Sequence, residues 1–326
     1  MKTLLATFTL ALALVAVPAF ADDLKIGIIG LDTSHVTAFT EIINNANAPG
    51  HAPGGKVVAA FKTSSADIPS SVDRVEKYAA TLQNDYGVKL VASIDELLRE
   101  VDCVLIESVD GRPHLAQAGP VIAAKKRVFI DKPIGGTLRD AVEIFRLAKE
   151  AGVPVFTSSA YRYYDSMIEL KKTDVGTIRS AISYGPAHLE EHHPDMFWYG
   201  VHPAEALFTV MGRGCESVVR THTADTDVIT GVWSGGRIGV LHGLRTKPLP
   251  HKVTVFGDKG FAEQKSEGDS YAPLVREIMQ FFQTGVSPVS AEETLELMAF
   301  MEAADESKRR GGQPVKLSEV LAAAAR

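Results

Sequence analysis

Two cysteines in 326 residues are too few for a disulfide framework to organise the fold. Cys103 and Cys215 each sit beside an apolar stretch, which leaves one disulfide and two buried thiols both open. Positive charge is also short. Lys and Arg number 34 against 40 Asp and Glu, the net charge is −6, and no long basic run occurs. Nucleic acid, held largely through phosphate neutralisation, is therefore excluded as the main partner. Beyond the first 21 residues no apolar run is long enough to cross a bilayer, and no repeat or low-complexity tract interrupts the chain. What is present is ordinary globular composition, 45% hydrophobic and 23% charged, at a length that suits two domains.

The start of the chain reads differently. Lys2 supplies a positive charge, an apolar run follows from Leu4 to Val17, and Ala19-Phe20-Ala21 presents small residues at a cleavage position. The run is shorter than the roughly 20 residues a membrane span needs. The pattern predicts a removable export signal over residues 1–21, and hence a secreted or periplasmic protein with no membrane contact after cleavage. No twin-arginine pair precedes the run and no cysteine follows it, which points to the general route that threads unfolded chains.

From Asp22 onward short β-branched runs alternate with longer helical patterns. Strands are expected at 24–30, 56–62, 89–93, 102–108, 127–131 and 154–159, and helices at 34–45, 72–86, 94–99, 113–125 and 137–151. This alternation predicts an α/β, Rossmann-like, doubly wound parallel sheet over residues 22–160. After Gly176 the rhythm changes. A helix at 200–211 is followed by strand-like runs at 216–223, 227–234, 237–245, 251–256 and 260–265, then by helices at 271–283 and 291–309. Strands in direct succession predict an α+β second domain over 161–326 with a mainly antiparallel open sheet.

The first strand carries Gly27 and ends in Gly30-Leu31-Asp32-Thr33-Ser34-His35, where a dinucleotide-binding turn would sit. Read as G-x-G-x-x-G from Gly30, the motif has Asp32 and His35 in place of the second and third glycines. A carboxylate about 4 Å from a phosphate charge costs about 4 kcal/mol at an effective dielectric of 20. The helix N-terminus offers an anion only about 1 kcal/mol. Asp32 escapes this repulsion if it turns to cap the helix, leaving the Thr33 and Ser34 hydroxyls toward the ligand. The second strand ends in Lys62-Thr63-Ser64-Ser65 rather than in the acid that holds the ribose of NAD, so Lys62 would suit a ribose phosphate and NADP. Glu107, Arg112 and His114, at the C-terminal end of the fourth strand, are expected to face the cleft.

Two further motifs stand in order, Asp131-Lys132-Pro133 after the fifth strand and Gly200-Val201-His202-Pro203-Ala204-Glu205 opening the later helix. With Gly312-Gln313-Pro314-Val315-Lys316-Leu317 near the end, the mature chain resembles the glucose-fructose oxidoreductase, inositol dehydrogenase and MocA group, the Gfo/Idh/MocA family. That family has a glycine-rich first turn, a Glu-Lys-Pro, a Gly-x-His-x-x-Asp and a closing Pro-Val. Here Asp131 replaces the Glu, Glu205 replaces the Asp, and two glycines are lost. The resemblance implies NAD or NADP held by the first turn with Asp131 and Pro133, and His114 near the nicotinamide. It also implies an enzyme oxidising a small carbohydrate or polyol, and self-association through the open face of the second sheet. Lys132 would stabilise a developing alkoxide and His202 would take the proton, with Glu205 one helical turn away to orient the imidazole.

Between the domains His192, His193, Asp195, Trp198 and Tyr199 mix aromatic rings with polar groups, as a sugar site does, and Arg162 is placed to close the cleft. No spacing among His192, His193, Asp195, His202 and Glu205 matches a metal signature, so no metal is expected. Three functions follow. The first is an exported NAD(P)-dependent oxidoreductase. The second is a glycoside hydrolase, lyase or epimerase with a trapped cofactor, because nicotinamide cofactors are not recycled outside the cytoplasm. The third is a redox-silent carbohydrate-binding protein.

Overall fold

The computed structural model describes residues 23–246, 250–265 and 270–326; the expected export signal lies outside them. Six parallel strands form the first sheet: β1 (Leu24–Ile29), β2 (Gly55–Phe61), β3 (Lys89–Val91), β4 (Cys103–Ile106), β5 (Arg127–Ile130) and β6 (Val155–Phe156). Their order is β3-β2-β1-β4-β5-β6, the dinucleotide-fold order with a reversal between β1 and β4. The connecting helices are α1 (His35–Asn44), α2 (Pro69–Tyr86), α3 (Ile94–Glu100), α4 (His114–Ala123) and α5 (Leu138–Ala151). All four residues of β4 are buried, as expected of a strand covered by helices on both faces.

Local chemistry sets the helix ends. The Ser93 hydroxyl accepts from the Glu96 amide while the Glu96 carboxylate accepts from the Ala92 amide, and Thr137 caps α5 through the Asp140 amide. Gly87 and Gly152, at φ 65°, close α2 and α5 in the left-handed conformation.

A single 3₁₀ turn (Ala160–Tyr163) leads into the remaining elements: α6 (Asp165–Lys172), β7 (Ile178–Pro186), α7 (Asp195–Trp198), α8 (Val201–Met211), β8 (Cys215–His222), β9 (Thr226–Trp233), β10 (Arg237–Leu244), β11 (Lys252–Gly257), β12 (Gly260–Glu263), α9 (Ala272–Thr284), α10 (Ala291–Arg309), β13 (Val315–Lys316) and α11 (Leu317–Ala324). The second sheet runs β12-β11-β7-β10-β9-β8-β13, antiparallel except for the parallel pair β7–β10. The sequence reading has no strand at β7, the longest of the sheet. Its inward residues are Ala181, Ser183 and Gly185, too small to register as an apolar face. Small size is required there: the Ser183 hydroxyl donates to the Pro203 carbonyl at 2.8 Å, and a Cβ on Gly185 would lie 2.2 Å from the His251 ring.

Helix α9 follows the second sheet in the chain but packs on the first. Leu274, Val275, Ile278, Phe281 and Phe282 join one buried cluster with Ile26, Ile28, Phe39, Phe129 and Phe156. Phe281 is fully buried with its ring 5.6 Å from that of Phe156. We expect Phe281→Ala to destabilise the protein by about 3–5 kcal/mol, read as a lower midpoint in urea. An unchanged midpoint would mean that α9 does not hold the domains together. Cys103 and Cys215 are both buried and free, in separate sheets.

Candidate active site

The turn after β1 brings the chain hard against β4. Gly30 has φ +85°, and a Cβ on it would lie 2.5 Å from the Ser108 amide nitrogen, so only glycine fits. Gly27 is instead a packing position, since its missing side chain leaves room for Leu97 of α3. Asp32 is fully buried and does not cap α1. Its carboxylate accepts from the Val109 amide at 2.8 Å and the Ser71 hydroxyl at 2.6 Å, joining the turn to the loop after β4 and to α2. The predicted repulsion is relieved by a different route: the acid is withdrawn into the protein. Thr33 Oγ1 accepts from the His35 amide at 3.1 Å, and Ser34 makes no side-chain cap bond.

A cavity of about 260 Å³ opens beside this turn. Thr33, Ser34 and His35 form one wall; Lys132, Tyr199 and His202 come from the far side, and Tyr161, Tyr164 and Tyr271 add three more phenols. Arg74 of α2 reaches the rim, with no acidic partner among the described residues. Lys132 follows β5, and its peptide bond to Pro133 is cis.

His202 is almost wholly buried at the first turn of α8. Burial, with the nearby Lys132, His251 and His35, pushes its pKa well below the usual histidine value. It is therefore neutral at neutral pH, a base in its proton-accepting form. The group that orients it is Ser159, whose Oγ lies 2.8 Å from Nδ1. Glu205 does not touch it. Although Glu205 is on the same helix, its carboxylate accepts from the Ser158 hydroxyl (2.8 Å) and the Arg162 guanidinium (2.6 Å), and Arg162 also pairs with Glu293. Arg162 thus ties the turn after β6 to α8 and α10 rather than closing the cleft.

Other sequence candidates are employed elsewhere. His114 is completely buried, with Nδ1 2.9 Å from the Pro133 carbonyl and Nε2 3.0 Å from the Ser108 carbonyl, and does not reach the cavity. Lys62 pairs with Glu76 at the surface. Arg112 forks between Asp110 and Asp67. His193 lies 2.8 Å from Asp110 Oδ1 and packs its ring on Trp198, while His192 is 2.7 Å from Glu190. Asp195 belongs to an ion cluster with Arg220 (2.8 Å) and Lys308 (2.5 Å). Of the 188–199 stretch only Tyr199 lines the cavity, because α7 turns the preceding polar residues toward α10 and the first domain.

Behind His35 lie two acids. His35 Nδ1 is 2.7 Å from Asp131 Oδ2 and 3.9 Å from Glu107 Oε2, with Glu107 fully buried and Asp131 nearly so. Burial and the adjacent Asp131 push the Glu107 pKa well above the carboxylate range. Burial also opposes the Asp131 charge, but His35 and Lys132 outweigh it and hold that pKa at about 2.

Residues 24–159 match the model of an oxidoreductase family with an NAD-binding Rossmann fold, Gfo/Idh/MocA. The match covers the first domain and not the second. An oxidoreductase of Streptococcus pneumoniae is 26% identical over 215 residues, 56% of this chain and 58% of that protein. The chain thus spans a little over half the length of this curated relative. The 1,5-anhydro-D-fructose reductase of Ensifer adhaerens is 29% identical over 245 residues, 67% of this chain and 68% of its own. A probable dehydrogenase from Thermotoga maritima shares the fold, with a TM-score of 0.75 at 21% identity over 91% of this chain and 100% of that one. The first turn fits the cofactor of a Gfo/Idh/MocA fold: Gly30 keeps the tight turn, Asp32 is withdrawn, and the α1 N-terminus has no side-chain cap at Ser34. Residues missed by sequence reasoning, Arg74, Ser159, Tyr271 and His251, carry no motif. They reach the site only through the return of α2, the 3₁₀ turn, α9 and β11.

Proposed function

We propose that this chain is an exported NAD(P)-dependent oxidoreductase acting on a sugar or polyol. The observation that carries the reading is the single cavity shared by the family's first turn, Lys132 and His202. Its volume of about 260 Å³ suits a small substrate, and Tyr161, Tyr164, Tyr199 and Tyr271 offer ring faces to C–H groups and phenols to hydroxyls. The reductase activity named for the Ensifer relative agrees with such a substrate.

The bound nicotinamide would supply the hydride acceptor. Thr33, Ser34 and the free start of α1 would hold its phosphates, and Arg74 is available to a further anion. As hydride leaves the carbinol carbon, the Lys132 ammonium stabilises the oxygen that is losing its proton. His202, kept neutral by burial, accepts that proton at Nε2 while Ser159 holds Nδ1. Export, read from residues 1–21, demands a cofactor retained through the catalytic cycle. Exposed Val232 beside Ile238, and Phe256 beside Phe261, support self-association through the second sheet.

NAD or NADP at about 100 times its Kd should add about 2.7 kcal/mol of stability, measured by thermal unfolding. No shift with either nucleotide, together with no nucleotide released on denaturation, would sink the redox reading. Amino-terminal sequencing of the exported protein should begin at Asp22.

A further inference from the structure

We infer that His35, Glu107 and Asp131 form a binding site for one divalent transition-metal cation, opening into the same cavity as Lys132 and His202. The inference goes beyond the nicotinamide reading and stands without it, because it rests on His35 in the cavity wall and the two acids behind it.

Geometry comes first. One ligand atom from each residue, an imidazole nitrogen and two carboxylate oxygens, lies within 4.8 Å of the other two, and no other such trio occurs among the described residues. A zinc-like ion bonded at about 2.1 Å holds its ligand atoms within about 4 Å of one another, so small side-chain rotations close the site. The donor set, one imidazole and two carboxylates, suits zinc, manganese or ferrous ions. It also leaves coordination positions open for water or a substrate hydroxyl. His35 is the only one of the three that lines the cavity, so the site meets the cavity of Lys132 and His202 at His35.

The second observation is independent of the clustering. Both carboxylate oxygens of Glu107 are buried and neither has a hydrogen-bond partner. His35 Nδ1 and Asp131 Oδ2 face each other as an ion pair at 2.7 Å, and no third group hydrogen-bonds to either atom. Buried polar atoms are rarely left so, and orphaned acceptors converging on one point beside an imidazole are what a cation satisfies.

The surroundings hold the ligands in place. The His35 ring stacks on Phe39 at 5.0 Å and meets Tyr271 edge-on at 4.7 Å. The other oxygen of Asp131, Oδ1, accepts from the Lys132 amide at 2.8 Å, which leaves Oδ2 turned to the site. The inference also explains a departure in the fingerprint. His35 stands at the position of the third fingerprint glycine, and this side chain is the one that reaches the two acids.

The test uses the full mature chain, stripped with chelator and titrated with zinc or manganese alone by calorimetry, with metal content read after desalting. One equivalent should bind. Glu107→Gln, which preserves size and replaces one carboxylate oxygen by an amide, and His35→Ala at the cavity wall should each weaken binding on the order of 100-fold. Asp195→Asn, in the distant ion cluster, should bind as the parent does. A stripped parent chain that takes up no ion, or a Glu107→Gln chain that binds as tightly as the parent, would overturn the inference. Either result would leave the nucleotide measurement untouched, and a failure to bind nucleotide would leave this one untouched.

Discussion

Lys132→Met should lower turnover by roughly 10²–10³-fold, the loss seen when one preorganised donor to a developing oxyanion is removed. Methionine keeps most of the length of the side chain and removes its charge, so the cavity wall survives and the stabilisation of the alkoxide does not. Because the alkoxide develops only in the transition state, the loss should fall on kcat with KM changed little. The charge on Lys132 is also one of the causes that depress the pKa of His202, after burial. In the variant the His202 pKa should rise, shifting the acid limb of the pH–rate profile upward. A variant that raises KM while keeping kcat would reduce Lys132 to a binding residue and remove it from the chemistry.

Arg220→Met should be the most destabilising single change at a polar position, costing about 3–5 kcal/mol. Arg220 is almost fully buried in the second domain and satisfies three acids: Asp195 and Asp227 at 2.8 Å and Asp305 at 2.5 Å. Asp227 keeps Arg245 at 2.6 Å and Asp195 keeps Lys308, but among the described residues no other cation pairs with Asp305. Burial already pushes the Asp305 carboxyl up to about 7, with Arg220 opposing. Removing the guanidinium pushes that pKa further up, so the acid must be buried charged above it or protonated below it. A group whose folded pKa is raised adds stability at low pH and loses it as the pH climbs through the folded value. The deficit of the variant, read from urea midpoints, should therefore be greatest above pH 7 and shrink toward pH 5. Equal deficits at both pH values would show that Arg220 acts by packing rather than by charge.

The Arg220 cluster also shows why Asp195 misled as a sugar ligand. Its place beside histidines, Trp198 and Tyr199 was visible along the chain, but its partners lie 25 and 113 residues away. The same holds for Glu205, correctly placed on the helix of His202 yet directed by Arg162 and Ser158 to the other side. Lys132 and His202 were legible because each sits in a short motif whose backbone alone, a strand end or a helix start, aims the side chain at the cleft. His251 and Tyr271 were not, because each stands at the first residue of an expected element, 251–256 or 271–283, with no motif to aim its side chain at the cleft.

Alternation of short and long apolar periods determined the parallel sheet, its helices and most of the second sheet, since burial on two faces or one leaves a repeat that can be counted. It also determined which residue types meet the cleft at the first turn and after β5. Tertiary structure alone decided that Asp32 withdraws, that Ser159 rather than Glu205 orients His202, that α9 returns to the first domain, and that His35 meets Glu107 and Asp131. The reason is range. Hydrophobic burial is non-directional and written in local pattern. A buried carboxylate instead takes its role from whichever cation or donor the fold brings within about 3 Å, and no spacing along the chain records that distance.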